Sequence, residues 1–131
     1  MENKSENMRK TILIIDDDYS LLRLTQMILD RIGYSSIVAA SVNQAREILI
    51  RESSVDLIIL DLMMPDEDGL SFIKWLENDS NITPNIPIIL NTAKNLSESE
   101  YDIFKEHCHK IILKGMNFTE TLISEVSSVL T

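Results

Sequence analysis

A single cysteine, Cys108, stands among 131 residues. It cannot form an internal disulfide, and its isolation excludes a Cys-rich zinc site. Positive charge is also scarce, with 12 Lys and Arg against 21 Asp and Glu, for a formal net charge of −9. A surface so poor in cations is unsuited to nucleic acid or an anionic membrane, because both are held through basic patches. No apolar run approaches the roughly 18–20 residues of a membrane span, and Met1–Lys10 is polar, without a signal-peptide core. Gly/Ser-rich linkers, low-complexity tracts and internal repeats are missing too. What remains is ordinary globular composition, 44% apolar and 25% charged, at a length that fits one domain. The expectation is one soluble, cytoplasmic domain over residues 10–131, preceded by a loose leader at 1–9.

The chain alternates short apolar runs with longer amphipathic stretches. Thr11–Ile15 is β-branched and closes in Asp16-Asp17-Asp18. Ser20–Ile32 carries Leu21, Leu22, Leu24, Ile28, Leu29 and Ile32 at helical spacing and stops at Gly33. Ser36–Ala39 is a weaker strand, and Ser41 with Gln44 resembles a capping box before Ala45, Ile48 and Leu49. Asp56–Leu62 is a strongly apolar third strand, followed by the turn Met64–Gly69 and a helix over Leu70–Leu76. Ile86–Leu90 reads as the fourth strand, and Ser97 with Glu100 as a second capping box before Tyr101 and Phe104. Lys110–Leu113 is the last strand and Phe118–Leu130 the closing helix. Five β-α repeats of this kind predict an α/β fold, a doubly wound five-stranded parallel sheet covered by helices on both faces. The strands are continuously apolar, as strands buried on both faces are.

Ligands of such sheets bind beyond the carboxyl ends of the strands. There the first strand presents Asp16, Asp17 and Asp18, the third Asp61, the fourth Thr92 and the fifth Lys114. Each has a plain explanation alone: an Asp as a helix N-cap, which suits Asp18, the Thr as a turn hydroxyl, the Lys as a solvated charge. Their coincidence is the informative feature. Asp16, Asp17 and Asp61 together repel one another unless a cation holds them. A hard divalent ion such as Mg²⁺ suits an all-oxygen set. Asp61 is then placed as a carboxylate nucleophile toward a phosphoryl group, with Lys114 neutralising and Thr92 hydrogen-bonding the phosphoryl oxygens.

Four segments, Ile14–Asp18, Asp61–Gly69, Asn91-Thr92-Ala93 and Ile112-Leu113-Lys114, resemble the receiver domain of two-component response regulators, chemotaxis regulators included, over roughly residues 10–131. The resemblance implies a flavodoxin-like fold with strand order 2-1-3-4-5 and five helices. It implies Asp61 as phosphoacceptor and Asp16, Asp17, Asp61 and the Met63 backbone carbonyl as ligands of Mg²⁺, or Mn²⁺ in its place. Thr92, Ala93 and Lys114 would bind the phosphoryl group and switch the face made by the fourth helix, fifth strand and fifth helix. The implied donor is a sensor histidine kinase or a histidine phosphotransfer protein, and the implied output an effector protein or fused domain. Such a domain is a monomer or a weak dimer through that face. It modifies its own Asp and turns over no external substrate.

The chain departs from the family pattern in three places. Gly115 follows Lys114 where the family has a cis proline, so a trans bond is expected. Ile111 stands where the family often has Tyr or Phe. His107-Cys108 replaces the usual Gly-Ala, and with His109 it invites a metal reading that has too few ligands for a closed site. Met63 and Lys94, each two residues beyond a site residue, are expected to flank the path of an attacking water and slow self-hydrolysis. Met63 also argues against a haloacid-dehalogenase-like phosphatase, which needs an Asp there. A receiver-like docking module that is never phosphorylated is the remaining alternative, and the complete acidic set weighs against it. Asp16, Asp17, Asp18 and Asp61, with Asp66, Glu67 and Asp68, supply seven negative charges on or near one sheet edge. The acidity is thereby read as a metal-binding edge.

Overall fold

The computed structural model describes residues 9–52, 54–62, 69–78, 86–92, 96–115 and 117–131. Five strands, β1 (Thr11–Ile15), β2 (Ser35–Ala39), β3 (Leu57–Asp61), β4 (Ile88–Thr92) and β5 (Lys110–Leu113), form one parallel sheet in the order β2-β1-β3-β4-β5. Between and after them run α1 (Tyr19–Arg31), α2 (Val42–Arg51), α3 (Gly69–Asn78), α4 (Glu98–His107) and α5 (Phe118–Leu130). The doubly wound fold and its strand order are those expected.

Strand alternation divides the core in two. Ile12, Ile14, Leu57, Ile59, Ile89 and Ile112 face Leu22 and Leu29 of α1 and Leu122 and Val126 of α5. Leu13, Ile15, Ile58, Leu60, Ile88 and Leu90 face α2, α3 and α4 on the other side. Every residue of β3 and of β4 is buried, which is why those strands carry almost no polar side chains below their last residues.

Local chemistry sets most helix starts. The Asp18 carboxylate accepts from Leu21 N and caps α1. Ser97 and Glu100 form the complete capping box of α4. At α2 the reading is half correct: Ser41 Oγ accepts from Gln44 N, but the Gln44 side chain accepts from Ala40 N rather than from Ser41. Gly33 closes α1 with φ +99°, a left-handed conformation that costs other residues a Cβ clash.

Several boundaries move, β2 beginning at Ser35 and α1 spanning Tyr19–Arg31 among them. β3 begins after Asp56, whose carboxylate accepts from Thr11 N at 2.8 Å and ties the strand entry to β1. α3 starts at Gly69 and runs to Asn78, longer than the apolar pattern alone suggests. β4 spans Ile88–Thr92, two residues later than the apolar run Ile86–Leu90, because pairing with β3 continues through Asn91 opposite Asp61.

Candidate functional site

The backbone of the sheet delivers the acids to one edge. Asp16 follows β1, and its N–H donates to Ala39 O of the neighbouring β2 at 3.1 Å. One Asp16 carboxylate oxygen accepts from Asp18 N at 2.9 Å, so the turn that starts α1 also fixes the Asp16 side chain. Asp61 is the last residue of β3. Both are buried, at 3% and 4% exposure, whereas Asp17 is exposed. Carboxylate oxygens of Asp16, Asp17 and Asp61 lie within 4.8 Å of one another.

Lys114 crosses to this group from the far side of β4. Its Nζ lies 3.1 Å from Asp16 Oδ2 and 3.4 Å from Asp61 Oδ1, and its N–H donates to Thr92 O at 2.8 Å. The lysine therefore belongs to the buried charge cluster rather than to solvent. Burial pushes the Asp16 carboxyl above the usual carboxylate range, and the Asp61 charge adds to that. The Asp18 amide and the Lys114 ammonium act the other way without cancelling it. Three carboxylates offering hard oxygen donors at one sheet edge fit a divalent cation of the Mg²⁺ kind.

Thr92 is fully buried at the end of β4, opposite Leu113 and one position beyond Asn91, the residue that pairs with Asp61. Met63, Ala93, Lys94 and the acids Asp66, Glu67 and Asp68 lie outside the described residues. Among the described residues every peptide bond is trans, so the Lys114–Gly115 bond is as expected, and a Cβ at Gly115 would meet nothing within 4 Å. Ile111 packs half-buried against the α2–α3–α4 side of the core, an aliphatic filling for the aromatic position.

Among the described residues, His107, Cys108 and His109 are not brought together as a group of metal ligands. Asp16, Asp17 and Asp61 are the one suitable group of ligands among the described residues. His107 instead joins Nδ1 to Glu77 Oε2 at 2.8 Å, tying α4 to α3, while His109 is exposed. Cys108 is buried, and burial together with the Glu77 charge pushes its thiol up to about 12. Only the thiolate is nucleophilic. Iodoacetamide at about pH 8 is therefore expected to leave Cys108 unmodified in the folded protein and to alkylate it after denaturation; ready modification of the folded protein would contradict this placement.

Two participants escaped the sequence reading. Glu77 gives no local sign of pairing with a residue thirty positions away. Asn91 did give one, a polar residue directly after Ile88, Ile89 and Leu90, taken as the end of the strand.

A family model described as the response regulator receiver domain matches residues 12–126. The polar-differentiation response regulator DivK of Brucella ovis is 32% identical over 120 residues, covering 89% of this chain and 96% of DivK. The chemotaxis response regulator CheY4 of Vibrio cholerae superposes with a TM-score of 0.82 at 25% identity, over 94% of this chain and 100% of that one. The response regulator TrrA of Thermotoga maritima, solved in complex with Mg²⁺-BeF, has a TM-score of 0.77 at 28% identity, over 92% and 99% of the two chains.

Proposed function

This chain belongs to the response regulator receiver domain family, and from that premise we propose that Asp61 accepts a phosphoryl group from a phosphohistidine donor in a Mg²⁺-dependent reaction. The observation that carries the proposal is the convergence of Asp16, Asp17 and Asp61 with the Lys114 ammonium at the carboxyl edge of the sheet. Asp16, Asp17 and Asp61, with the Met63 carbonyl, would hold the cation. When bound, it neutralises charge on the transferring phosphoryl oxygens. A carboxylate oxygen of Asp61 forms the new bond to phosphorus as the donor's N–P bond breaks, and the imidazole keeps that electron pair. Lys114 offers its ammonium to a phosphoryl oxygen, and Thr92 and the Ala93 amide hold others.

Receiver domains meet histidine kinases or phosphotransfer proteins, and the donor here is of that class. The receiver unit is residues 10–131, with Arg9 tied to it through Gly33 O and Tyr34 O, and Mn²⁺ replaces Mg²⁺ as a second hard cation. Met63 supplies no acid or base for turnover, so the protein modifies itself, and Met63 with Lys94 slows hydrolysis of the acyl phosphate. Output runs through α4, β5 and α5, where Tyr101, Ile103 and Leu113 are exposed; a weak dimer would form there. No helix among the described residues is long and apolar enough to cross a membrane, which agrees with a cytoplasmic site of action.

Intact-mass analysis tests the reading. Incubation with acetyl phosphate and Mg²⁺ should add one phosphoryl group, and EDTA should prevent it. Absence of the adduct with both the small donor and a partner kinase would leave a docking module that is not phosphorylated.

A further inference from the structure

Lys114 leaves the sheet at the end of β5, yet its ammonium reaches Asp61 on β3 and Asp16 beyond β1. Its arm must therefore pass over β4. The β4 residue in register with Asp61 on one side and with Ile112 on the other is Asn91. Ile89 lies in the α1–α5 half of the core with Ile59 and Ile112, so alternation directs Asn91 to that same face, which Asp61 and Lys114 share. Asn91 is 3% exposed, and its Oδ1 is fully buried with no hydrogen-bond partner among the described residues.

That arrangement is costly as it stands. A buried acceptor left unsatisfied destabilises a fold, whereas an apolar residue would suit a strand whose preceding members are Ile88, Ile89 and Leu90. The cost has an explanation beside it. An ammonium has three donors; one is hydrogen-bonded to Asp16, and Asp61 lies beside it as an ion-pair partner. The same carboxylates are the ones that hold the cation and the phosphoryl group in the proposed reaction. Lys114 then needs other acceptors, and a neutral amide oxygen provides one without competing for the cation.

We propose that Asn91 is a positioning residue for Lys114: its buried amide oxygen accepts a hydrogen bond from the ammonium once Asp16 and Asp61 are engaged, aiming Lys114 at the phosphoryl oxygen. This rests on the receiver reading above. The arm is held by one neutral bond from below and one charged bond from the ligand, so the ammonium is aligned yet free to leave the carboxylates. An apolar residue at 91 would leave Lys114 unguided.

The test compares the wild-type protein with Asn91→Val and Asn91→Ser, using Mg²⁺ and beryllofluoride as probes. Asn91→Val is expected to melt no lower than wild type and to keep its Mg²⁺ Kd, while binding beryllofluoride about tenfold more weakly, the loss of one charge-assisted hydrogen bond. Asn91→Ser, which retains an acceptor, should recover part of that loss. In wild-type protein the Asn91 side-chain amide resonances should shift when beryllofluoride is added to the Mg²⁺ form, and the Lys114 ¹⁵Nζ–H signal should sharpen. Equal beryllofluoride affinity in wild type and Asn91→Val overturns the inference while leaving the receiver reading intact. Should Asn91→Val not fold, unmoved Asn91 resonances in the wild type overturn it in the same way. A wild type that binds neither beryllofluoride nor a phosphoryl group sinks the receiver reading and this inference together.

Discussion

Lys114→Met is expected to accept a phosphoryl group about 10²–10³-fold more slowly than wild type, the usual effect of removing one preorganised donor from developing negative charge. Asp61 itself is untouched in this variant, so slow phosphorylation rather than its abolition is the signature. A second effect follows from the position of the ammonium. It lies within 3.4 Å of both buried carboxylates, and without it Asp16 and Asp61 lose the positive charge they share. Breaking a buried pair by removing one partner costs up to about 3–5 kcal/mol. Thermal unfolding without Mg²⁺ should therefore occur at lower temperature than in wild type, and Mg²⁺ should restore more stability to the variant. The Mg²⁺ Kd should fall as well, because the competing cation is gone. Unchanged stability and unchanged phosphorylation rate would mean that Lys114 does not serve the site.

Asp16→Asn has the opposite stability effect. Burial and the Asp61 charge hold the Asp16 carboxyl above its ordinary range, so the folded protein retains this proton at a pH where the unfolded chain has lost it. Without Mg²⁺, stability contributed by this group is thus highest below the ordinary carboxylate range. It is lost as pH rises from the unfolded value through the raised folded one. At neutral pH the charged form is a net cost, and the uncharged amide should unfold at a higher temperature, with that part of the pH slope removed. Mg²⁺ binding moves the other way. Loss of partners one layer behind a metal ligand already weakens affinity about 10–100-fold, and loss of a ligating carboxylate should weaken it by more than about 100-fold. Calorimetric titration of Mg²⁺ beside thermal unfolding across pH measures both. A variant that is less stable at neutral pH, or that binds Mg²⁺ normally, would remove Asp16 from the role given to it.

Local pattern accounted for much of the fold. β1 and β5 have the expected bounds, and both end with their apolar runs because Asp16 and Lys114 mark the edge at which the sheet meets its ligands. Asp18 and Ser97 announced their helices because an N-cap is a contact within three residues. The strand order came from family resemblance, since apolar runs alone do not say which neighbours pair. Distant contacts were invisible for the same reason. Asp16 and Lys114 are 98 positions apart: the strand ends placed both at one edge, but not the direct contact of the ammonium with the two buried carboxylates. Asn91 shows the sharper limit. Its polarity ended the apolar run, so it was read as lying beyond the strand, although pairing opposite Asp61 keeps it in the sheet and buries it beside the site.

The most direct measurement locates the phosphoryl group. Protein phosphorylated with acetyl phosphate and Mg²⁺ is treated with borohydride, which reduces an aspartyl phosphate to homoserine and releases phosphate, and the peptides are sequenced by mass spectrometry. Homoserine at position 61, with Asp16, Asp17 and Asp18 unaltered, is the result expected. Reduction at any other carboxylate, or none in protein that carries the adduct, would contradict the assignment of Asp61 as the acceptor.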